Sequence, residues 1–202
     1  MFILASHSPR RREILQMAGY TFEIESPTLD ERKIIDSALR EGLSFENTVC
    51  RLAEEKAQDV RHKVPDACIV ASDTVVISDG RMLGKPENTE DAYRMLRHLL
   101  GKTHQVITAV CLLDPERGEK VFSSQTRVRF YPESPFILKF IREYVDSGDP
   151  LDKAGAYAAQ GATAILIESM EGDFHTVMGL PIGKLAQELA EWGIVPELSA
   201  RR

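Results

Sequence analysis

The chain has 202 residues, 43% of them hydrophobic and 28% charged, an ordinary make-up for a soluble globular protein long enough to bury a sizeable core. Lysine and arginine number 25 against 31 aspartates and glutamates, for a formal net charge of −6; this argues against a protein that coats nucleic acid, but leaves room for a small phosphorylated ligand held by a local basic cluster. Cys50, Cys68 and Cys111 are odd in number and lack metal-ligand spacing, as expected of free thiols in a reducing cytoplasm. The apolar run at residues 2–5 is too short for a signal-peptide core, no run reaches the length of a membrane span, and a cytoplasmic protein is expected.

Phe2 to Ala5 read as a short buried strand. Ser8 stands at a helix N-cap position, Pro9 at the first helical position, and Arg10, Arg11 and Arg12 follow in the first turn. Cations there oppose the helix dipole, whereas the free N–H groups of a helix start favour an anion. A phosphate answers both, so this segment is a candidate phosphate site. The helix is expected to run from Pro9 to Ala18 and to stop at Gly19, with a strand from Tyr20 to Ile24. Residues 26–43 read as a loop with a helical turn at Arg32 to Leu39.

Ser44 caps a helix expected over Phe45 to Arg61, whose apolar stripe of Val49, Leu52, Ala53, Ala57 and Val60 also contains Lys56. Residues 67–77 form an apolar strand interrupted by Ser72, Asp73 and Thr74, and Asp79-Gly80 reads as a hairpin turn. A helix opens at Thr89 and ends before Gly101; Val106 to Leu113 and Lys120 to Phe130 are two strands around a turn at Asp114–Gly118. Ser134-Pro135 starts another helix, residues 146–162 read as a functional loop, and Ala164 to Ser169 as a strand. A last helix spans Pro181 to Trp192, and the tail from Pro196 is expected to be loose. Strands alternating with helices, plus a hairpin, predict an α/β fold with a mixed central sheet flanked by helices, in one domain over residues 1–202; two lobes with a cleft are compatible with this pattern, which does not fix their boundary.

Asp73 is the first chemical candidate, because a carboxylate inside a buried strand must be paired, metal-bound or at a cleft. Lys56 sits on an apolar stripe that a surface lysine avoids; taken alone, the ordinary reading is snorkelling of its stem. Lys85 lies in Leu83-Gly84-Lys85-Pro86, where the glycine permits close backbone approach, although the spacing is no Walker A motif. Carboxylates, lysines and arginines without a nucleophile–base pair suit phosphoryl chemistry.

Leu4-Ala-Ser-His-Ser-Pro-Arg-Arg11, Ala71-Ser-Asp-Thr-Val-Val76, Gly84-Lys-Pro86, Gly101-Lys-Thr-His-Gln-Val-Ile-Thr-Ala109, Asp152-Lys-Ala-Gly-Ala-Tyr-Ala-Ala-Gln-Gly161 and Gly179-Leu-Pro181 resemble, in order and over nearly the whole chain, the Maf family of nucleoside triphosphate pyrophosphatases. The resemblance implies a fold related to the inosine triphosphate pyrophosphatases, with Asp73 as the proton acceptor that activates water. It further implies that Ser8, Arg11, Lys56 and Lys85 hold the triphosphate. Glu31 with Asp73 would bind a divalent cation, Mg²⁺ or Mn²⁺, and the protein would be a homodimer acting on a nucleotide rather than on nucleic acid or a membrane. Arg10, Thr74 and Gln160 match the positions that separate the family's branches, and here resemble the dTTP/UTP branch. Gln160 suits it chemically: an amide both donates and accepts, as the O4/N3–H edge of uracil or thymine requires. The rival readings are 7-methyl-GTP hydrolysis by the same chemistry, and a nucleotide-binding inhibitor of septum formation acting through protein contacts.

Overall fold

A computed structural model describes residues 1–197. Part of the expected loose tail, residues 198–202, lies outside the described residues. In chain order the elements are β1 (Phe2–Ala5), α1 (Pro9–Met17), β2 (Phe22–Ile24), α2 (Glu31–Arg40), α3 (Phe45–Lys63), β3 (Ile69–Ser78), β4 (Arg81–Leu83), α4 (Thr89–Leu99), β5 (Thr103–Asp114), β6 (Gly118–Phe130), α5 (Pro135–Asp146), β7 (Ile167–Glu171), α6 (Phe174–Met178) and α7 (Ile182–Glu191). The strands form a mixed sheet in the order β2-β1-β3-β5-β6-β7, with β4 paired to β3. β1 runs parallel to both β2 and β3, so all four of its residues are buried.

The chain forms two compact units. The first comprises Met1–Asp73, Thr108–Ser124 and the chain from Gly179; the second, Thr74–Ile107 and Gln125–Met178. In the first, Leu4, Ile14, Leu15, Leu52, Ile69 and Leu112 are fully buried, and Phe2 packs its ring between Tyr20 and Phe22 at 6.0 and 5.9 Å. The second has its own cluster, in which Leu96 and Leu99 of α4, Val128 and Phe130 of β6, Ile141 of α5 and Leu166 gather around Val76 and Val106.

Local chemistry explains most boundaries. Ser44 and Ser134 cap α3 and α5 through the backbone N–H groups of Asn47 and Ile137. The β3–β4 hairpin turns at Asp79 and Gly80, whose φ values of 50° and 69° are those of the expected two-residue turn. α4 opens at Thr89 as expected, with Asn88 as its cap. Other expectations shift. The segment read as a loop with a helical turn is instead the helix α2, started by Asp30, whose carboxylate accepts from Lys33 N–H at 3.3 Å. Residues expected to begin a strand at Ala164 wind into a 3-10 turn over Ala162–Leu166, and pairing of β7 with β6 begins only at Ile167. Two more short 3-10 turns, Asp149–Asp152 and Ala154–Ala156, order the stretch expected as a loop. Ser8 has N-cap backbone geometry, but its hydroxyl makes no capping bond.

One buried group in the second unit ties stability to pH. His104 of β5 is 2% exposed, shares a 2.7 Å hydrogen bond with the Tyr157 hydroxyl, and has its Nδ1 buried without a partner. Desolvation pushes its pKa from the usual 6.5 down to about 4. A lowered folded value means that the unfolded chain binds the proton first. The stabilisation is therefore complete above pH 6.5 and is lost as pH falls towards 4. We expect this one group to remove about 3 kcal/mol over that interval, and the His104 ring carbons to show a neutral imidazole by NMR at pH 5. A midpoint near 6.5 would contradict the burial described.

Candidate active site

The site grows from the middle of α3. The apolar stripe that docks this helix carries Lys56 inward, so its ammonium cannot reach bulk water and must find anions. It finds two. Nζ lies 2.6 Å from Asp73 Oδ1 and 2.7 Å from Glu31 Oε1, with side-chain exposures of 6% for Lys56, 12% for Asp73 and 33% for Glu31. The snorkelling reading of Lys56 is thereby corrected: the stem and the charged head are both buried. Asp73 comes from β3 and Glu31 from the first turn of α2, where a carboxylate also meets the positive end of the helix dipole.

Glu31 is delivered by the strap of residues 25–30, which α3 itself holds down. Asp59, three residues beyond Lys56, accepts from Thr28 N–H at 2.8 Å, and Lys63 donates to the Ser26 carbonyl at 2.8 Å. His7 Nε2 lies 3.2 Å from the Pro27 carbonyl oxygen. The hydrogen bond to Thr28 holds the Asp59 carboxyl below the usual carboxylate range. Asp59 and Lys63 escaped the sequence reading, although Asp59 shares the helix face of Lys56 at a spacing of i+3.

Arg11 forms the other wall. It is 8% exposed; its Nε donates to the Gly179 carbonyl at 2.8 Å and Nη1 to the Ser72 carbonyl at 2.7 Å and to Ser6 Oγ at 3.2 Å. Ser72 Oγ donates to the same Gly179 carbonyl at 2.8 Å. Burial lowers the pKa of the guanidinium, and the charges of Asp73 and Glu31 oppose that shift; an arginine remains protonated regardless. Ser6, Ser72 and Gly179 were not singled out beforehand as site residues. The carbonyl of a glycine far along the chain leaves no signal near Arg11.

Glu31, Lys56, Asp73 and Arg11 are thus brought together in the first unit, with Ser8 and Arg10 half-buried at the start of α1. Thr74 opens the second unit directly after Asp73. Lys85 and Gln160 are exposed there; the carbonyl of Gly84, next to Lys85, accepts from Gly155 N–H at 3.0 Å. Among the described residues no three histidine, cysteine or acidic side chains gather as a metal-binding group. Two carboxylates do gather, and a cationic group already sits between them. That donor set fits a hard divalent ion that keeps several waters and takes further oxygens from phosphate.

Replacing Lys56 with methionine keeps the stem and removes the charge. Glu31 and Asp73 would then face each other unscreened, and we expect K56M to lose about 3 kcal/mol in urea unfolding. A variant as stable as the parent would mean that the two carboxylates are satisfied without the ammonium.

Among proteins of known name, a dTTP/UTP pyrophosphatase of Bacillus pumilus is 41% identical over 96% of this chain and 97% of its own. One of Carboxydothermus hydrogenoformans is 41% identical over 94% and 97%. The solved Staphylococcus aureus Ham1 protein covers 95% of this chain and 98% of its own with 15% identity and a TM-score of 0.45, a likeness too distant to bear on the site. The family model described as Maf-like protein matches residues 1–192. The chain belongs to the Maf family.

Proposed function

We propose that this protein is a nucleoside triphosphate pyrophosphatase that hydrolyses dTTP and UTP to the monophosphate and pyrophosphate. The observation that carries the reading is the Lys56 ammonium held between Glu31 and Asp73. It joins a base, a second, half-buried carboxylate and a buried phosphate-seeking cation in one group. The names of the full-length relatives supply the substrate.

In this mechanism Asp73 accepts the proton of a water that attacks the α-phosphorus; the bond from that phosphorus to the bridging oxygen breaks, and pyrophosphate leaves. Lys56, fixed through Asp73, meets the triphosphate with a charge that needs no reorganisation. Three hydrogen bonds already orient Arg11, so it contributes a fixed positive charge; Ser8, at the open start of α1, and Lys85 complete the phosphate contacts. Glu31 and Asp73 would hold a divalent cation, Mg²⁺ or Mn²⁺, which when bound neutralises phosphate oxygens. Arg10, Thr74 and Gln160 select the base. The homodimer belongs to the same proposal, and a monomer by sedimentation would set it aside. The cytoplasm is the proposed location, supported by three free cysteines, two of them buried. No helix of the described residues is long and apolar enough to cross a membrane.

Pyrophosphate release from dTTP, UTP, CTP, GTP and 7-methyl-GTP, with Mg²⁺ or Mn²⁺, tests the reading. Release is expected from dTTP and UTP, and Asp73→Asn should lower it about 10²–10⁴-fold with an unchanged circular dichroism spectrum. Full activity in D73N would remove Asp73 as the base, and release from 7-methyl-GTP alone would overturn the substrate.

A further inference from the structure

The residue proposed to read the base, Gln160, is exposed at the apex of a short loop whose two stems are buried. The entering stem is fixed by Tyr157, 5% exposed, whose hydroxyl meets His104 at 2.7 Å and whose ring packs edge-on against Phe130 at 4.8 Å. The next residue, Ala158, is buried and lies outside any strand. Thr163 supplies what a strand would. Its Oγ1 accepts from Ala158 N–H at 3.1 Å and donates to the Ala158 carbonyl at 2.7 Å. One hydroxyl, 1% exposed, therefore closes the loop across five residues.

The turn inside this closure is tightly specified. Gly161 has φ 87° and ψ −152°, a region that only glycine occupies readily. Its carbonyl accepts from Ala164 N–H at 3.2 Å. Upstream, Gly155 and Ala156 both have positive φ, 66° and 65°, and the Gly155 N–H is tied to the Gly84 carbonyl at 3.0 Å. Gly155 also leaves no room for a side chain, because a Cβ there would lie 3.0 Å from Val76. Both stems of the loop that carries Gln160 are thus held.

We propose that Thr163 is a positioning residue for base selection: its hydroxyl sets where the Gln160 amide stands. The inference rests on the reading of Gln160 as the group that contacts the base. An amide discriminates O4/N3–H from the reversed edge of cytosine only when its oxygen and nitrogen are held in the plane of the base. Valine fills the volume of threonine and can make neither bond. The loop would then keep its packing and lose its closure.

The test compares kcat/KM for UTP and CTP in the unaltered protein and in the T163V, T163S and Q160A variants, with thermal melting of each. T163V is expected to reduce the UTP/CTP ratio about 10-fold, chiefly through a higher KM for UTP, while T163S keeps the ratio. An unchanged ratio in folded T163V, or an equal loss on both nucleotides, overturns the inference and leaves Thr163 a structural residue. If Q160A also leaves the ratio unchanged, the reading of Gln160 has failed and the inference with it; if Q160A collapses the ratio and T163V does not, only the positioning role has failed. Should T163V not fold, amide exchange in the unaltered protein decides: slow exchange at Ala158 N–H supports the closure, and fast exchange overturns it.

Discussion

Burying an ammonium ion beside two carboxylates costs several kcal/mol of hydration per ion and is repaid only when the geometry is close and the remaining hydrogen-bonding capacity is met. Lys56, Asp73 and Glu31 meet that condition with contacts of 2.6 and 2.7 Å. The surrounding structure is arranged to keep them there. The apolar stripe of α3 forces the lysine inward, and the Asp30 cap starts α2 at Glu31. Asp59 and Lys63 hold the strap that leads to it. Buried ion groups are poor devices for stability alone, which is the physical ground for reading one held in the middle of a strand as a candidate site.

The charges near this centre balance: Lys56 and Arg11 stand against Asp73 and Glu31. A triphosphate therefore enters an arrangement with no surplus of positive charge and must draw its neutralisation from added cations or from residues outside the quartet. That division of labour is why the phosphate-binding proposal extends beyond the quartet to Ser8 and Lys85. In the second unit the loop that carries Gln160 is closed by a hydroxyl and by backbone conformation rather than by an ion pair.

Much of this was legible in the chain before folding, and the misses share a cause. Lys56 on an apolar stripe and Asp73 inside a buried strand were visible because each broke a local pattern. Their pairing was not visible, since the residues are 17 apart on different elements and only packing brings them together. Snorkelling was the better local guess for Lys56 precisely because the anions come from elsewhere. The α2 helix was read as a loop because Pro27 and the mixed charges before it obscure a short apolar face, even though Asp30 is an ordinary cap. The anchor of Arg11 lies 168 residues away at a backbone carbonyl, and a carbonyl has no sequence signature. The strand expected at Ala164 began late because Thr163 is turned back to Ala158 instead of joining a ladder.

The spacing of Lys56, Asp59 and Lys63 along one helix has a thermodynamic consequence. Three positions on that face hold, respectively, the two carboxylates, the strap and the strap's entry, so α3 cannot fray past its middle without releasing all three. Opening of the site and melting of the helix then belong to one cooperative unit rather than to two. Melting that reaches Lys56 therefore dismantles the centre together with the strap that delivers Glu31.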